Sequence, residues 1–538
     1  MCPSTRPKES PPIMKTFGKV NTAKSMQHSN SNCQLGDVAE QPQSPERRQL
    51  LKAIFAMAIV GGGLLRPVFA STGGIEAKSA TTTVDESDGL TWLPAWKLRE
   101  MIVKGEVTSV EVVRHFLHRI EKHDSSLNAF RRLDAQGALE QAALADKAVR
   151  AGGPLGSLHG VPIAVKELYT VRGFPKPGSY SSYLTGEKAS QSLATRDDIE
   201  IERLRVAGAI IVGVTVAAIG PVPGLDVAHL PRNPWDLSCT TGGSSAGNGA
   251  AVGAGLVPLA LGDDGGGSIR LPSAFCGLLG LHPTRGRVPH VDYKSVAPRA
   301  TVTAGPMTRN VRDAAVAMQI LAGPDGRDFV CLQDQPPDFV GTLNSGINGK
   351  RFLWTGDFGF AHMPEALQSP RTVSAVFAAT GVLERKGGTV TRSTTQWEDP
   401  MPSYLAMKQL TNGTVAPYAE KDLSETEMIA GLECRRRNWQ RFQNVFAKHD
   451  FILSPTIQFT APKIDAWVEF LEETSGPQKF TRELSIIAAH TMMCNDLGLP
   501  AISIPAGFVD RMPVGLQVIG KPGSEAGLLQ VAEAFLTA

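Results

Sequence analysis

Two loops rich in glycine and serine, together with one lysine, hold most of the chemistry open to this 538-residue sequence. The first loop reads Thr240-Thr241-Gly242-Gly243-Ser244-Ser245-Ala246-Gly247-Asn248-Gly249. The second, thirteen residues on, reads Asp263-Asp264-Gly265-Gly266-Gly267-Ser268-Ile269-Arg270. Three consecutive glycines let backbone N–H groups turn inward around a reacting atom, as stabilisation of an oxyanion requires. A serine that ends such a loop and opens a helix can present its hydroxyl as a nucleophile. Either loop taken alone is equally compatible with a flexible turn. The third segment is Leu158-His159-Gly160-Val161-Pro162-Ile163-Ala164-Val165-Lys166-Glu167. A lysine that ends an apolar run either extends its ammonium to solvent or is buried and neutral enough to serve as a base.

The elements that must position these residues are legible in the hydrophobic pattern. Short apolar runs at residues 161–165, 209–214, 257–261, 451–453 and 501–504 are bounded by Gly, Pro, Asp or Ser and separated by helix-length segments. Such runs suit strands buried on both faces of an α/β sheet. Thr108-Ser109-Val110-Glu111 reads as a capping box, and behind it Val112, Val113, Phe116, Leu117 and Ile120 recur at helical spacing. A second helix is predicted over about residues 138–151, ended by Gly152-Gly153-Pro154.

Together the three segments resemble the amidase signature family. The family pattern has a Gly-x-Pro-x-x-Val-Lys strand, then Gly-Gly-Ser-Ser-Gly-Gly, then Asp-x-Gly-Gly-Ser-Ile-Arg; the chain supplies Gly160 to Lys166, Gly242 to Gly247 and Asp264 to Arg270 in that order. Pro231-Arg232-Asn233-Pro234-Trp235, Gly280-Leu281-His282-Pro283-Thr284-Arg285-Gly286, Asn495 to Ala501 and Pro513 to Gln517 extend the likeness over residues 88–538. The resemblance implies one α/β domain, a mixed β-sheet sandwiched by α-helices; within it, about residues 325–480 hold four of the seven tryptophans among polar segments and read as a specialised region for substrate. It also implies an amidohydrolase with a Ser-Ser-Lys triad. Ser268 would be the nucleophile and Lys166 the base. Ser244 would bridge them, held by a cis peptide after Gly243. Backbone N–H groups of Gly265, Gly266, Gly267 and Ser268 would form the oxyanion hole, with Gly243, Asp264 and Arg270 in support. A small-molecule amide is the implied partner, no metal or organic cofactor is needed, and a homodimer is left open.

Some positions depart from the pattern. Gly265 replaces the usual Ile or Thr, Ala246 replaces a Gly, and Gly213-Val214-Thr215-Val216 places apolar residues where polar ones usually stand. The last departure favours an uncharged hydrophobic or aryl amide, with carbamates and ureas also within the family's range. Two other readings compete. Gly243-Ser244-Ser245-Ala246-Gly247 also fits the G-x-S-x-G nucleophile elbow, which would make Ser245 the nucleophile with a histidine such as His449 or His490 downstream. Alternatively the chain would be an amidotransferase-like subunit dependent on partners.

Composition narrows the field further. With 42% hydrophobic and 20% charged residues the chain is not of the disordered class. A net charge of +2 makes no case for nucleic acid. Residues 1–70 carry nine Lys/Arg and four acids, a net of +5, which leaves −3 for the rest. In that leader Arg47-Arg48-Gln49-Leu50-Leu51-Lys52 precedes thirteen apolar or small residues and then Val68-Phe69-Ala70, the layout of a twin-arginine secretory signal. Thirteen residues are too few to span a membrane. The reading places the mature enzyme in a bacterial periplasm or outside the cell, after cleavage near Ala70, with residues 71–87 as a linker and Met14 and Met26 as alternative starts. Of seven cysteines, Cys239, Cys276, Cys331, Cys434 and Cys494 would remain, widely spaced, implying neither a disulfide framework nor a zinc site.

Overall fold

A computed structural model describes residues 89–177, 192–220, 225–291, 301–361, 369–415, 419, 421–472 and 485–537. The expected leader and linker lie outside these residues. All the described residues belong to one compact unit. Its strands are β1 (Phe130–Leu133), β2 (Pro162–Lys166), β3 (Ile210–Thr215), β4 (Arg232–Asn233), β5 (Asp236–Thr240), β6 (Leu259–Asp264) and β7 (Leu279–His282). They continue with β8 (Thr303–Thr308), β9 (Arg351–Trp354), β10 (Thr389–Arg392), β11 (Phe451–Pro455), β12 (Ala501–Val509) and β13 (Met512–Ile519). Eleven of them form one sheet in the order β1-β3-β2-β6-β8-β7-β12-β13-β11-β9-β10, while β4 and β5 pair separately. The sheet is mixed: β2 runs parallel to β3 and β6, and β9 parallel to β10 and β11, while the remaining pairs are antiparallel.

The five apolar runs all become strands, and the reason is visible in their side chains. Every residue of β2, β3, β6 and β11 is buried. Alternate residues serve opposite faces. Ile163 and Val165 of β2 and Leu259 and Leu261 of β6 join one core cluster, whereas Ala164 and Ala260 join the other. The first face is covered by the helices Val311–Leu321 and Glu525–Leu536, the second by Ala135–Ala151 and Ala246–Gly253, so the sheet is sandwiched. No helix among the described residues is long and apolar enough to cross a membrane.

Local signals set the helix ends. Thr108 and Glu111 make the expected reciprocal capping box on the helix Ser109–Leu127, and Gly152 in the left-handed region ends the helix Ala135–Ala151. The helix Ala95–Val103 begins after Pro94 without a side-chain cap of its own. Its first N–H groups, at Ala95 and Trp96, donate instead to the buried carboxylate of Asp313 at 2.8 and 2.9 Å, from a residue 218 positions away in sequence. Asp313→Ala strands both donors in the interior, and we expect a loss of roughly 2–4 kcal/mol in denaturant unfolding, with the midpoint lowered and the slope unchanged.

Candidate active site

Lys166 closes β2 between two parallel neighbours and is wholly buried, so it does not extend to solvent. Its Nζ donates to Ser244 Oγ at 2.7 Å and to Asp263 Oδ1 at 2.6 Å. Ser244 Oγ in turn donates to Ser268 Oγ at 3.0 Å. Three side chains from three separate segments thus form one hydrogen-bonded line from a buried amine to a half-buried hydroxyl. Proton transfer along such a line is within the geometric reach of general-base catalysis.

Each serine is placed by backbone. Ser244 follows β5 and stands just before the helix Ala246–Gly253, and the Gly243–Ser244 peptide is cis, as the resemblance implies. A side chain at Gly243 would sit 1.8 Å from the carbonyl oxygen of Ala218, which leaves room for glycine alone. Ser268 stands between β6 and the helix Arg270–Cys276, and its carbonyl accepts the Ser245 N–H at 3.1 Å, tying the two loops together.

The second loop is pinned by Asp264. This fully buried carboxylate accepts the N–H groups of Gly267, Ile269 and Arg270, the Nε and Nη2 of Arg270, and Nδ2 of Asn495. Burial by itself would push the carboxyl up, but the facing Arg270 guanidinium and these donors hold it below the usual carboxylate range. Burial works against the charge of Arg270, and Asp264 more than offsets it. Arg270 also reaches Thr491 O, Gln517 Oε1 and Asn495 Oδ1 at 3.0, 2.8 and 2.6 Å. Thr491 Oγ1 donates to Gly266 O at 2.5 Å.

The geometry bears on one donor of the expected oxyanion hole. The Gly267 N–H points to Asp264 Oδ1 at 2.7 Å and is committed there, because the Gly266–Gly267 peptide is held at its other end by Thr491. Gly265, Gly266 and Ser268 remain as candidate donors. The nucleophile-elbow alternative finds no support in the geometry. Ser245 is fully buried and donates to the carbonyl of Asp263 at 3.3 Å. His449 bonds Thr391 Oγ1, and His490 bonds Gln458 and packs edge-on against Phe358.

Asp263, Thr491, Asn495 and Gln517 were not marked as site residues by sequence pattern. Asp263 directly precedes Asp264, and this acidic doublet is the sequence signal for it. Thr491, Asn495 and Gln517 lie more than 200 positions from the loop they brace, where no spacing rule reaches.

Comparison with known proteins places the chain in a family. The amidase family model matches residues 111–405 and 408–529. The chain is 31% identical over 473 residues to an acylamidase of Rhodococcus erythropolis, covering 83% of this chain and 95% of that protein. It is also 31% identical over 489 residues to a glutamyl-tRNA(Gln) amidotransferase subunit of Desulforudis audaxviator, covering 82% and 95%. Among solved structures, a bacterial aryl acylamidase of the amidase signature enzymes superposes with a TM-score of 0.68 at 25% identity, over 83% of this chain and 96% of that one. The chain belongs to the amidase family, and it is an amide-hydrolysing enzyme.

Two outcomes follow from the site's electrostatics. Arg270→Met leaves Asp264 buried without its counter-charge, and thermal or denaturant unfolding should show a loss of about 3–5 kcal/mol. His490, whose Nδ1 has no partner among the described residues, is pushed by burial from 6.5 down to about 4. The native form keeps it neutral while the unfolded chain binds a proton below pH 6.5, so its effect on stability is absent above that pH and grows as pH falls toward 4. His490→Phe should therefore flatten the fall in unfolding free energy between pH 7 and pH 5 by about 2 kcal/mol.

Proposed function

We propose that the enzyme hydrolyses the C–N bond of an uncharged hydrophobic or aryl amide through an acyl-enzyme on Ser268. The observation that carries this reading is the unbroken line from Lys166 through Ser244 to Ser268, at 2.7 and 3.0 Å. Ser268 Oγ attacks the substrate carbonyl while its proton passes to Ser244, whose own proton passes to a neutral Lys166. The N–H groups of Gly265, Gly266 and Ser268 receive the oxyanion. Ser244 then returns a proton to the leaving nitrogen, the amine departs, and water hydrolyses the acyl-enzyme to the carboxylic acid.

The apolar preference is supported by what stands beside the loop. Residues 218–220 lie between Gly243 and the helix Ile464–Glu472, where Trp467 Nε1 donates to Ile219 O at 2.7 Å and Leu471 packs within 2.3 Å of where a Gly220 side chain would start. Ile219, Phe360, Phe470 and Leu471 are partly buried members of one apolar cluster there. The resemblance to a bacterial aryl acylamidase, at 25% identity, supports the aryl part of that preference. We further propose that residues 1–70 are a twin-arginine export leader, which Arg47→Lys with Arg48→Lys tests: the double variant should stay in the cytoplasm.

The purified chain, without partner subunits, should hydrolyse members of a panel of anilides, short amides and carbamates, with activity rising toward alkaline pH. Activity that appears only with added subunits would point to the amidotransferase-like role instead. Ser268→Ala should abolish fluorophosphonate labelling and lower kcat by about ten-thousand-fold or more, with Lys166→Ala close behind and the losses non-additive. Ser244→Ala should be severe and Ser245→Ala mild. The reverse order would reinstate the nucleophile elbow.

A further inference from the structure

Away from the active site, the helix Glu425–Phe446 has one face packed and one face bare. Its inner face is spent. Gly431, Cys434, Asn438, Phe442, Val445 and Phe446 are buried, Arg435 pairs with Asp496 at 2.9 Å, and Arg437 and Arg441 both hold Glu398. The outer face carries Glu425, Ile429, Leu432, Arg436 and Trp439, all of them exposed. They recur at intervals of four and three residues, the spacing of a seam along which one helix packs on another. Ile429, Leu432 and Trp439 are 52%, 37% and 37% exposed. Apolar side chains gathered in one outward row mark an interaction surface, where singly scattered ones do not.

We propose that this row is a self-docking surface, on which a second copy of the chain packs its own helix Glu425–Phe446 antiparallel. The charges on the row select that occupant. Glu425 stands at its amino-terminal end and Arg436 further along, and neither has an ion-pair partner among the described residues. A parallel copy would set Glu425 on Glu425 and Arg436 on Arg436. An antiparallel copy, related by a two-fold axis between Ala430 and Gly431, sets each Glu425 opposite the other copy's Arg436 and each Ile429 opposite the other copy's Leu432. One surface thereby complements itself, as a closed two-fold dimer requires.

Trp439 then falls beyond the charged pair, against the start of the other copy's helix. At that end Gln409 clasps both backbone groups of Leu423, at 3.0 and 2.6 Å, and the neighbouring Leu410 is exposed. The spacing of the row, its apolar members and the order of its charges agree on the same mate. From Glu425 to Arg436 the shared stretch is about 18 Å long. That is short of a standard interface, so the association is reversible and falls in the micromolar range. The row contains no member of the Lys166–Ser244–Ser268 line, and the proposal stands apart from the reading of the active site.

Sedimentation velocity of the full chain, over concentrations through the micromolar range, tests it. The wild type should show a concentration-dependent equilibrium between monomer and dimer. Glu425→Arg and Arg436→Glu should each weaken it by about tenfold or more, because either reversal makes two like-charge contacts across the axis. The double reversal should restore it, and an equimolar mixture of the two single variants should associate more tightly than either variant alone. Leu432→Asp should abolish the dimer and leave the circular dichroism spectrum unchanged, since the side chain it replaces is exposed. A wild type that stays monomeric throughout overturns the proposal, whether or not the same face then binds lipid vesicles or a different protein. So does a dimer that neither single reversal weakens, or one that the double reversal fails to restore.

Discussion

The active loop depends on one buried ion pair, Asp264 with Arg270. Neither group is exposed, and their contact at 2.9 Å is made two-pronged by a second bond at 3.0 Å. A bare carboxylate or guanidinium at that depth would be prohibitively costly, so each can be buried only because the other is there. The pair then does more than neutralise charge. The carboxylate gathers three backbone N–H groups of its own loop, which curls residues 264–270 around it, and the guanidinium fastens that loop to Thr491 and Asn495 of the helix Met492–Leu497 and its cap, and to Gln517 on β13. Ser268 takes its position from this knot.

A second charge pair stands beside the first. Lys166 with Asp263, at the ends of β2 and β6, and Asp264 with Arg270, at the start of the helix Arg270–Cys276, form two adjacent ion pairs. Such pairing lets these groups be buried without an uncompensated charge. It also divides the labour between neighbouring residues of β6: one aspartate braces the loop, and its predecessor faces the lysine.

The mixed sheet explains why such a knot forms where it does. Parallel β3, β2 and β6 bring Lys166 and the two aspartates to a common edge, while the antiparallel β7, β12 and β13 return the chain so that residues 490–517 lie against the same loop. The glycines at 243 and 267 are demanded by close approach: a side chain at either would meet Ala218 O at 1.8 Å or Thr491 Oγ1 at 2.3 Å. The apolar cluster around residues 218–220 and the helix Ile464–Glu472 is built on the same principle, with apolar surface brought against loop backbone.

Much of this was legible in the sequence. Local physics writes local patterns, so the apolar runs named the central strands, Thr108 and Glu111 named a helix start, and the two Gly-Ser loops with Lys166 named the side chains that the structure brings together. Strands β1, β7, β8, β9 and β10 left no such mark: Thr303-Ala304-Gly305-Pro306-Met307-Thr308 is rich in turn formers and becomes a strand because β6 and β7 pair with it on either side. What only the tertiary structure decided is which donors and charges meet. The commitment of Gly267 N–H to Asp264, the cap lent to Ala95 by Asp313, and the choice of Asp263 as the partner of Lys166 all join residues that strand register and chain reversal bring together. Hydrogen bonds and ion pairs act over about 3 Å of space whatever the separation along the chain, and that distance is set by the fold.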